Sequence, residues 1–249
     1  SIEINDDLIR KVESDPNVSA VVPRLESFAL AASGSRTQGV MVLGIDPEKE
    51  NLVSDMRTRL VKYKLSPEAI KAMKEERLPD RTKKLLDLFC NESYSSVGRM
   101  ILDLGISVED TAAILPVIAK HASFPNKYIS SDNPLGVLIG TGLSEFLKAD
   151  VGDTLVLMGQ GYHGTSAAGK YIVTGIIRLP APDIDNIIVY MPIGSARELY
   201  DAKGMATSGV LKLKSNNDKE VFATSDRLRQ IIISPLEVKR IYLWGRRRT

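Results

Sequence analysis

Two glycine-rich motifs overlap between residues 159 and 170. Gly159-Gln-Gly161-Tyr-His-Gly164 has the spacing G-x-G-x-x-G, and Gly164-Thr-Ser-Ala-Ala-Gly169-Lys170 has the spacing G-x-x-x-x-G-K. Either spacing serves phosphate chemistry only where a strand leads in and a helix leads out, because the anion is held by orphan N–H groups at the helix N-terminus. A strand pattern does lead in, over 154–158. The exit, Tyr171-Ile-Val-Thr-Gly-Ile-Ile-Arg-Leu179, is β-rich, and Tyr171 stands where a Mg²⁺-binding Ser or Thr belongs. The stretch therefore reads as a glycine-rich, mobile hairpin loop.

The other reactive side chains are few and scattered. His121 and His163 are the two histidines, and neither has a second histidine at helical spacing or a cysteine beside it. Zinc sites and histidine-activated nucleophiles both need convergent partners. Cys90 is the sole cysteine, so no internal disulfide or cysteine cluster is possible. It follows the apolar positions Leu85, Leu86 and Phe89, which places it as a buried structural thiol. Asp183 and Asp185 form a carboxylate pair beside Pro182 and Asn186, a composition that turn chemistry accounts for as well as a cation does. Arg246-Arg247-Arg248 is a basic triplet that reads equally as a solvated tail or as the flank of a membrane segment. No catalytic, cofactor-binding or metal residue is assigned from this inventory.

The bulk composition is that of an ordinary globular chain. The 249 residues are 43% hydrophobic and 26% charged, enough to bury a core without staples. A formal net charge of +2 supplies no field for nucleic acid, and 6% aromatics supply few stacking surfaces. No run of about 18 apolar residues is present, and no signal peptide. A first residue of Ser rather than Met reads as a piece of a longer chain or a processed product.

Periodicity gives the elements that carry these residues. A helix is expected over 4–13, then a strand over 18–32 that Pro23 kinks or sends to an edge, and a return strand over 37–45. From 48 to about 122 the pattern is helical. Ser66-Pro67-Glu68 is an N-cap with Pro at the first position, Asp80 caps a helix reaching Phe89, and Ser107-Val-Glu-Asp110 opens a helix kinked at Pro116. Val137–Ile139 is a strand ended by Gly140, after which Thr141 caps a helix with Leu143, Phe146 and Leu147 on its apolar face. Val151-Gly152-Asp153 is a turn. Strands are expected over 154–158, 170–179 and 187–191, with 180–186 a rigid loop. A short helix over 195–200, a strand over 207–214, a helix over 218–230 (Val221, Leu228 and Ile231 inward) and a strand over 238–244 complete the chain as a β-α-β unit.

Three segments carry a resemblance. Gly39-Val-Met-Val-Leu-Gly-Ile-Asp-Pro-Glu48, the run from Val137 to Leu155 (VLIGTGLSEFLKADVGDTL), and Val173-Thr-Gly-Ile176 followed by Asp185 and Val189-Tyr-Met-Pro-Ile193 with Ala196 and Leu199 resemble, in order and spacing, the extracytoplasmic domains of ABC-transporter permeases of the MacB/FtsX type. The resemblance covers about residues 18 to 214. It implies an α+β fold with a split porter-like α/β lobe built from both termini, 1–46 and 205–249. An inserted sabre-like lobe would occupy 47–204, helical over 48–122 and β-rich over 135–193.

The family's properties then become expectations. The domain would stand outside the bacterial cytoplasmic membrane between transmembrane helices not present here, and ATP hydrolysis would belong to a separate ATPase subunit or domain. Its partners would be that ATPase, a second permease copy or a sister permease, and a periplasmic substrate, lipoprotein or adaptor. No cofactor is implied. The Ile45-Asp-Pro-Glu48 strand end is more like the lipoprotein-releasing branch than the efflux branch. The helical insert, about 50–130, is longer than the family pattern. Motion would pass between lobes through 33–47 and 193–207. Two other readings compete: a soluble nucleotide-dependent enzyme using 159–170, and a stand-alone protein-interaction module.

Overall fold

The computed structural model describes residues 2–3 and 6–232. Its strands are β1 (Ile2–Glu3), β2 (Val18–Ser33), β3 (Arg36–Ile45), β4 (Tyr63–Lys64), β5 (Ser93–Tyr94), β6 (Gly136–Gly140), β7 (Thr154–Gln160), β8 (Ser166–Ile177), β9 (Ile188–Pro192), β10 (Met205–Ala206) and β11 (Ser208–Leu213). Its helices are α1 (Asp6–Glu13), α2 (Pro67–Glu75), α3 (Asp80–Leu88), α4 (Val97–Asp103), α5 (Val108–His121), α6 (Thr141–Leu147), α7 (Pro182–Asp185), α8 (Ile193–Leu199) and α9 (Asp218–Ile232). The fold is α+β.

The main sheet closes on itself. Its order is β11-β2-β3-β9-β6-β8-β7, and β7 returns to pair with β2, so six strands from β2 round to β7 form a ring. Closure removes the exposed edges that an open sheet would leave. Alternate residues point inward along every strand: Ala29 and Ala31, Val40 and Val42, Val137 and Ile139, Leu155 and Leu157, Tyr171 and Val173, Val189 and Met191 are all buried in one cluster. Such a small barrel is filled by its own side chains. Leu143 and Leu147 of α6 and Ala196 and Leu199 of α8 join the same cluster. The outward-facing Leu43, Ile45, Leu138, Ile188 and Tyr190 pack beneath Met56 and Ile129, from the segments that enter and leave the helical insert.

β2 is long because it serves two layers. Over Val18–Arg24 it pairs with β11, and from Arg24 onward with β3. Pro23 lies just before β3 begins to pair, where β2 has a strand on one side only and the missing N–H costs no ladder bond. Val12, Val18, Val21 and Leu228 make a separate small core between this half of β2, α1 and α9. There the Asp15 carboxylate takes Arg227 Nε at 2.6 Å, and the Asn17 amide donates to Thr224 Oγ1 at 2.9 Å. The 18–45 hairpin was expected to belong with the chain ends. It is hydrogen-bonded to β9 and β7, so it also shares one sheet with the strands over 136–192.

The insert is helical, as its capping residues dictate. The Ser66 hydroxyl accepts from the Ala69 N–H and the Ser107 hydroxyl from the Asp110 N–H. Asp80 does not cap α3. It is the first helical residue, behind Pro79. Leu65, Ile70, Met73, Leu86, Met100, Leu104, Ile114 and Ile118 give the insert its own core, separate from the barrel's. It is tied down by polar contacts. Asn126 Nδ2 donates to the Val61 and Ile176 carbonyls, and its Oδ1 accepts from the Ile176 N–H at 2.7 Å. At the insert's entrance the buried Glu50 carboxylate receives both Nε and Nη2 of Arg24.

The segment expected as a loop over 180–186 contains one helical turn, α7. The strand expected over 238–244, and with it the closing arm of the β-α-β unit, lies outside the described residues, as does Arg246–Arg248.

Candidate functional site

The glycine-rich stretch is built into the barrel wall. Gly159 and Gln160 end β7, a single 3-10 turn spans Tyr162–Gly164, and β8 starts at Ser166 with Lys170 and Tyr171 inside it. Gly159 faces Ala29 across the β2–β7 seam and Gly169 pairs with Leu157. Only the few residues around the turn form the loop expected over 159–169. No helix comes after it, so the orphan N–H groups that a phosphate needs are absent from this hairpin.

The titratable residues do not converge. His121 ends α5, its Nε2 2.9 Å from Glu76 Oε1, which also takes Lys120 Nζ at 2.8 Å. These two partners, Lys120 foremost, pull the Glu76 carboxyl down to about 2, so it stays ionised through the physiological range and cannot act as a general acid there. His163 sits at the tip of the β7–β8 hairpin with φ at 57°, edge-on to the Tyr162 ring. Burial pushes the Tyr128, Tyr190 and Tyr200 hydroxyls up to about 12, leaving them neutral. Among the described residues no group of three or more His, Cys, Asp or Glu side chains could hold a metal ion.

Cys90 corrects the expectation of a buried thiol: it is exposed. α3 ends at Leu88, so the helical stripe of Leu85 and Leu86 does not extend to Cys90. The thiol borders a shallow cavity of about 290 Å³ with Pro67, Ile70, Lys71, Lys74 and Asp87. Lys74 is already paired with Asp87 at 2.6 Å.

The carboxylate pair separates into two roles. Asp183 is exposed, whereas Asp185 is 6% exposed and organises the chain around it. Its Oδ2 accepts from Thr141 Oγ1 at 2.5 Å and from the Gly142 N–H at 2.7 Å, and its Oδ1 accepts from the Leu179 N–H at 2.8 Å. The expected Thr141 cap is therefore replaced. Gly140 is the N-cap, Thr141 is helical, and the cap is a carboxylate from α7. A negative group at a helix start satisfies an orphan donor and meets the positive end of the dipole.

Two glycines make the approach possible. A Cβ on Gly140 would meet the Asp185 carbonyl oxygen at 2.0 Å, and one on Gly142 would meet Asn186 Oδ1 at 1.8 Å. Gly140, Gly142 and Asp185 thus form a latch between β6–α6 and the β8–β9 connection. Phe146 is half exposed, at 51%, and lies off the buried face that Leu143 and Leu147 provide. The latch was missed as a contact at the sequence level. Its signal was there, as the second Asp of a pair, about 44 residues after a strand-ending Gly-Thr-Gly.

Among the described residues, no helix is long and apolar enough to cross a membrane. No family model matches the chain, and no curated protein matches it. Among solved structures it is similar to the extracellular domain of the noncanonic ABC-type transporter YknZ from Gram-positive bacteria. That match has 10% identity and a TM-score of 0.46, covering 91% of this chain and 83% of that one. It is also similar to the periplasmic region of MacB from Actinobacillus actinomycetemcomitans. Here identity is 10% and the TM-score 0.43, with 90% and 72% of the two chains covered.

Proposed function

We propose that this chain is the extracytoplasmic domain of an ABC-transporter permease of the MacB/FtsX type, which relays ATPase-driven movement to a partner or substrate outside the membrane. The observation that supports it best is the latch. Gly140 of the 137–155 segment and Asp185 of the 173–199 segment are two separate parts of the family signature. They meet in one unit: a Cβ on Gly140 would touch the Asp185 carbonyl oxygen, and the Asp185 carboxylate caps the helix that Gly140 opens. Residues matched at a distance in sequence have a shared structural reason to be there.

In this reading the domain is non-catalytic and its work is rigid-body displacement. The division into a lobe from the chain ends and an inserted lobe belongs to the same reading. Its support is the separate core of Val12, Val18, Val21 and Leu228 and the separate core of the insert. β2, shared by the terminal layer and the barrel, is the joint. The ATPase and a second permease are its partners in the whole transporter, at the bacterial cytoplasmic membrane. Release of a lipoprotein, suggested by Ile45-Asp-Pro-Glu48, is the preferred branch over efflux.

The test is the full-length gene and its product. An apolar span of about 20 residues before residue 1 and three more after residue 249, in a protein that fractionates with membranes, is the expected result. A full-length product without such spans that stays in the soluble fraction would overturn the reading.

A further inference from the structure

α5 is apolar on two sides. One side carries Ile114 and Ile118 into the core of the insert. The other carries Val108, Ala112, Leu115 and Ala119, all exposed, with Val108 88% and Leu115 37% open to solvent. At about 100° per residue the spacing of four, three and four aligns these four side chains in a single straight stripe. Surface apolar residues scattered singly need no account, but this row is aligned, and it lies about 110° round the helix from the Ile114 and Ile118 that anchor it.

We infer that this stripe pairs with the same stripe of a second copy of the chain, the two α5 helices running antiparallel about a two-fold axis. Charge and size both specify that occupant. With the axis midway along the stripe, Ala112 faces Leu115 of the second copy and Val108 faces Ala119, so a large side chain meets a small one at each of four levels. Glu109 in the first turn and Lys120 near the end lie on the same flank of the stripe. The two-fold sets Glu109 of each copy beside Lys120 of the other, giving two symmetric ion pairs at the rim. Parallel pairing would instead set like charges together. Opposed helix dipoles favour the same orientation. An anionic membrane surface is a poorer fit, because Glu109 flanks the stripe. Lys120 is 67% exposed even while its Nζ is bonded to Glu76, so it remains reachable.

One helix pair buries less than the roughly 1,200 Å² of standard complexes, so the association is weak, with Kd on the order of 0.1–1 mM. The inference concerns the isolated chain and stands whether or not the transporter reading does. It is tested by sedimentation equilibrium of the chain from about 0.01 to 1 mM. The parent chain should show a monomer–dimer equilibrium, and Leu115→Glu should abolish it. Glu109→Lys and Lys120→Glu should each weaken it about tenfold, while an equimolar mixture of the two should regain the parental level, because the mixed dimer restores both ion pairs. Thermal melts check that each variant is folded. If Lys120→Glu melts early beside Glu76, Leu115→Glu, which touches neither, decides the matter. A parent that stays monomeric throughout, parental association in Leu115→Glu, or a mixture of folded single variants no better than either alone would overturn the inference.

Discussion

Replacing Asp185 by Ala removes the acceptor for three donors at once: the Thr141 hydroxyl and the Gly142 and Leu179 N–H groups. A fully buried donor left unsatisfied costs about 1–3 kcal/mol, these three are half-buried, and loss of a helix cap alone costs about 0.5–2 kcal/mol. The Thr141 hydroxyl can rotate to another acceptor, so the two half-buried backbone groups dominate and the sum comes to about 2–4 kcal/mol. Against a net stability of about 5–15 kcal/mol for a natural domain, that is a large share. Urea denaturation reads it as a fall in midpoint at constant m-value. Hydrogen exchange should localise it, with the Gly142 and Leu179 amides losing protection first. Thr141→Ala removes one donor and leaves the carboxylate two partners, so it should cost about 0.5–1.5 kcal/mol. The double variant should cost scarcely more than Asp185→Ala alone, since both act on one network. A cost below about 1 kcal/mol for Asp185→Ala, or full additivity with Thr141→Ala, would refute the latch.

The same geometry fixes three further outcomes. Gly140→Ala should destabilise the chain by more than Gly142→Ala, because the first added methyl meets backbone and the second meets an Asn186 side chain that can turn away; equal melting temperatures would contradict this. Glu76 has its pKa lowered from 4.5 to about 2, chiefly by Lys120, so the stability it adds is present above about pH 4.5 and is lost as the pH falls toward 2. Glu76→Gln should therefore melt below the parent at pH 6 and close to it at pH 2, a difference that calorimetry across that range resolves. Millimolar ATP or NAD with Mg²⁺ should leave the melting temperature unchanged, since the 159–170 stretch is barrel wall; a rise would restore a nucleotide site there.

Much of the architecture was legible as periodicity. The apolar strand at 137–139, the strand at 154–158, the Ser66 and Ser107 caps, and the position of Pro23 all follow from local rules, and the structure honours them. The closed barrel was not legible. It depends on Ala29–Ala32 meeting Val156–Gly159, a pairing more than 120 residues apart that no local pattern encodes. The same distance explains Thr141. A Thr before an apolar stripe is a good cap by local chemistry, but the stronger carboxylate of Asp185 arrives from α7 and takes the role. Cys90 was misplaced because the helix ends at Leu88, one residue before the Phe89 that the apolar spacing marked and two before the thiol. Phe146 was misplaced because the buried face of α6 is narrow: Leu143 and Leu147 reach the core, and Phe146, about 100° round the helix from Leu147, does not.

The exposed Cys90 gives a direct reading of which side of the membrane the domain occupies. In cells or spheroplasts expressing the full-length protein, a membrane-impermeant maleimide should label it from outside, before lysis. Cys90→Ser should remove the label from this domain, read on the peptide that carries residue 90. Labelling of Cys90 that appears only after the cytoplasmic membrane is broken would place the domain inside the cell and contradict an extracytoplasmic role.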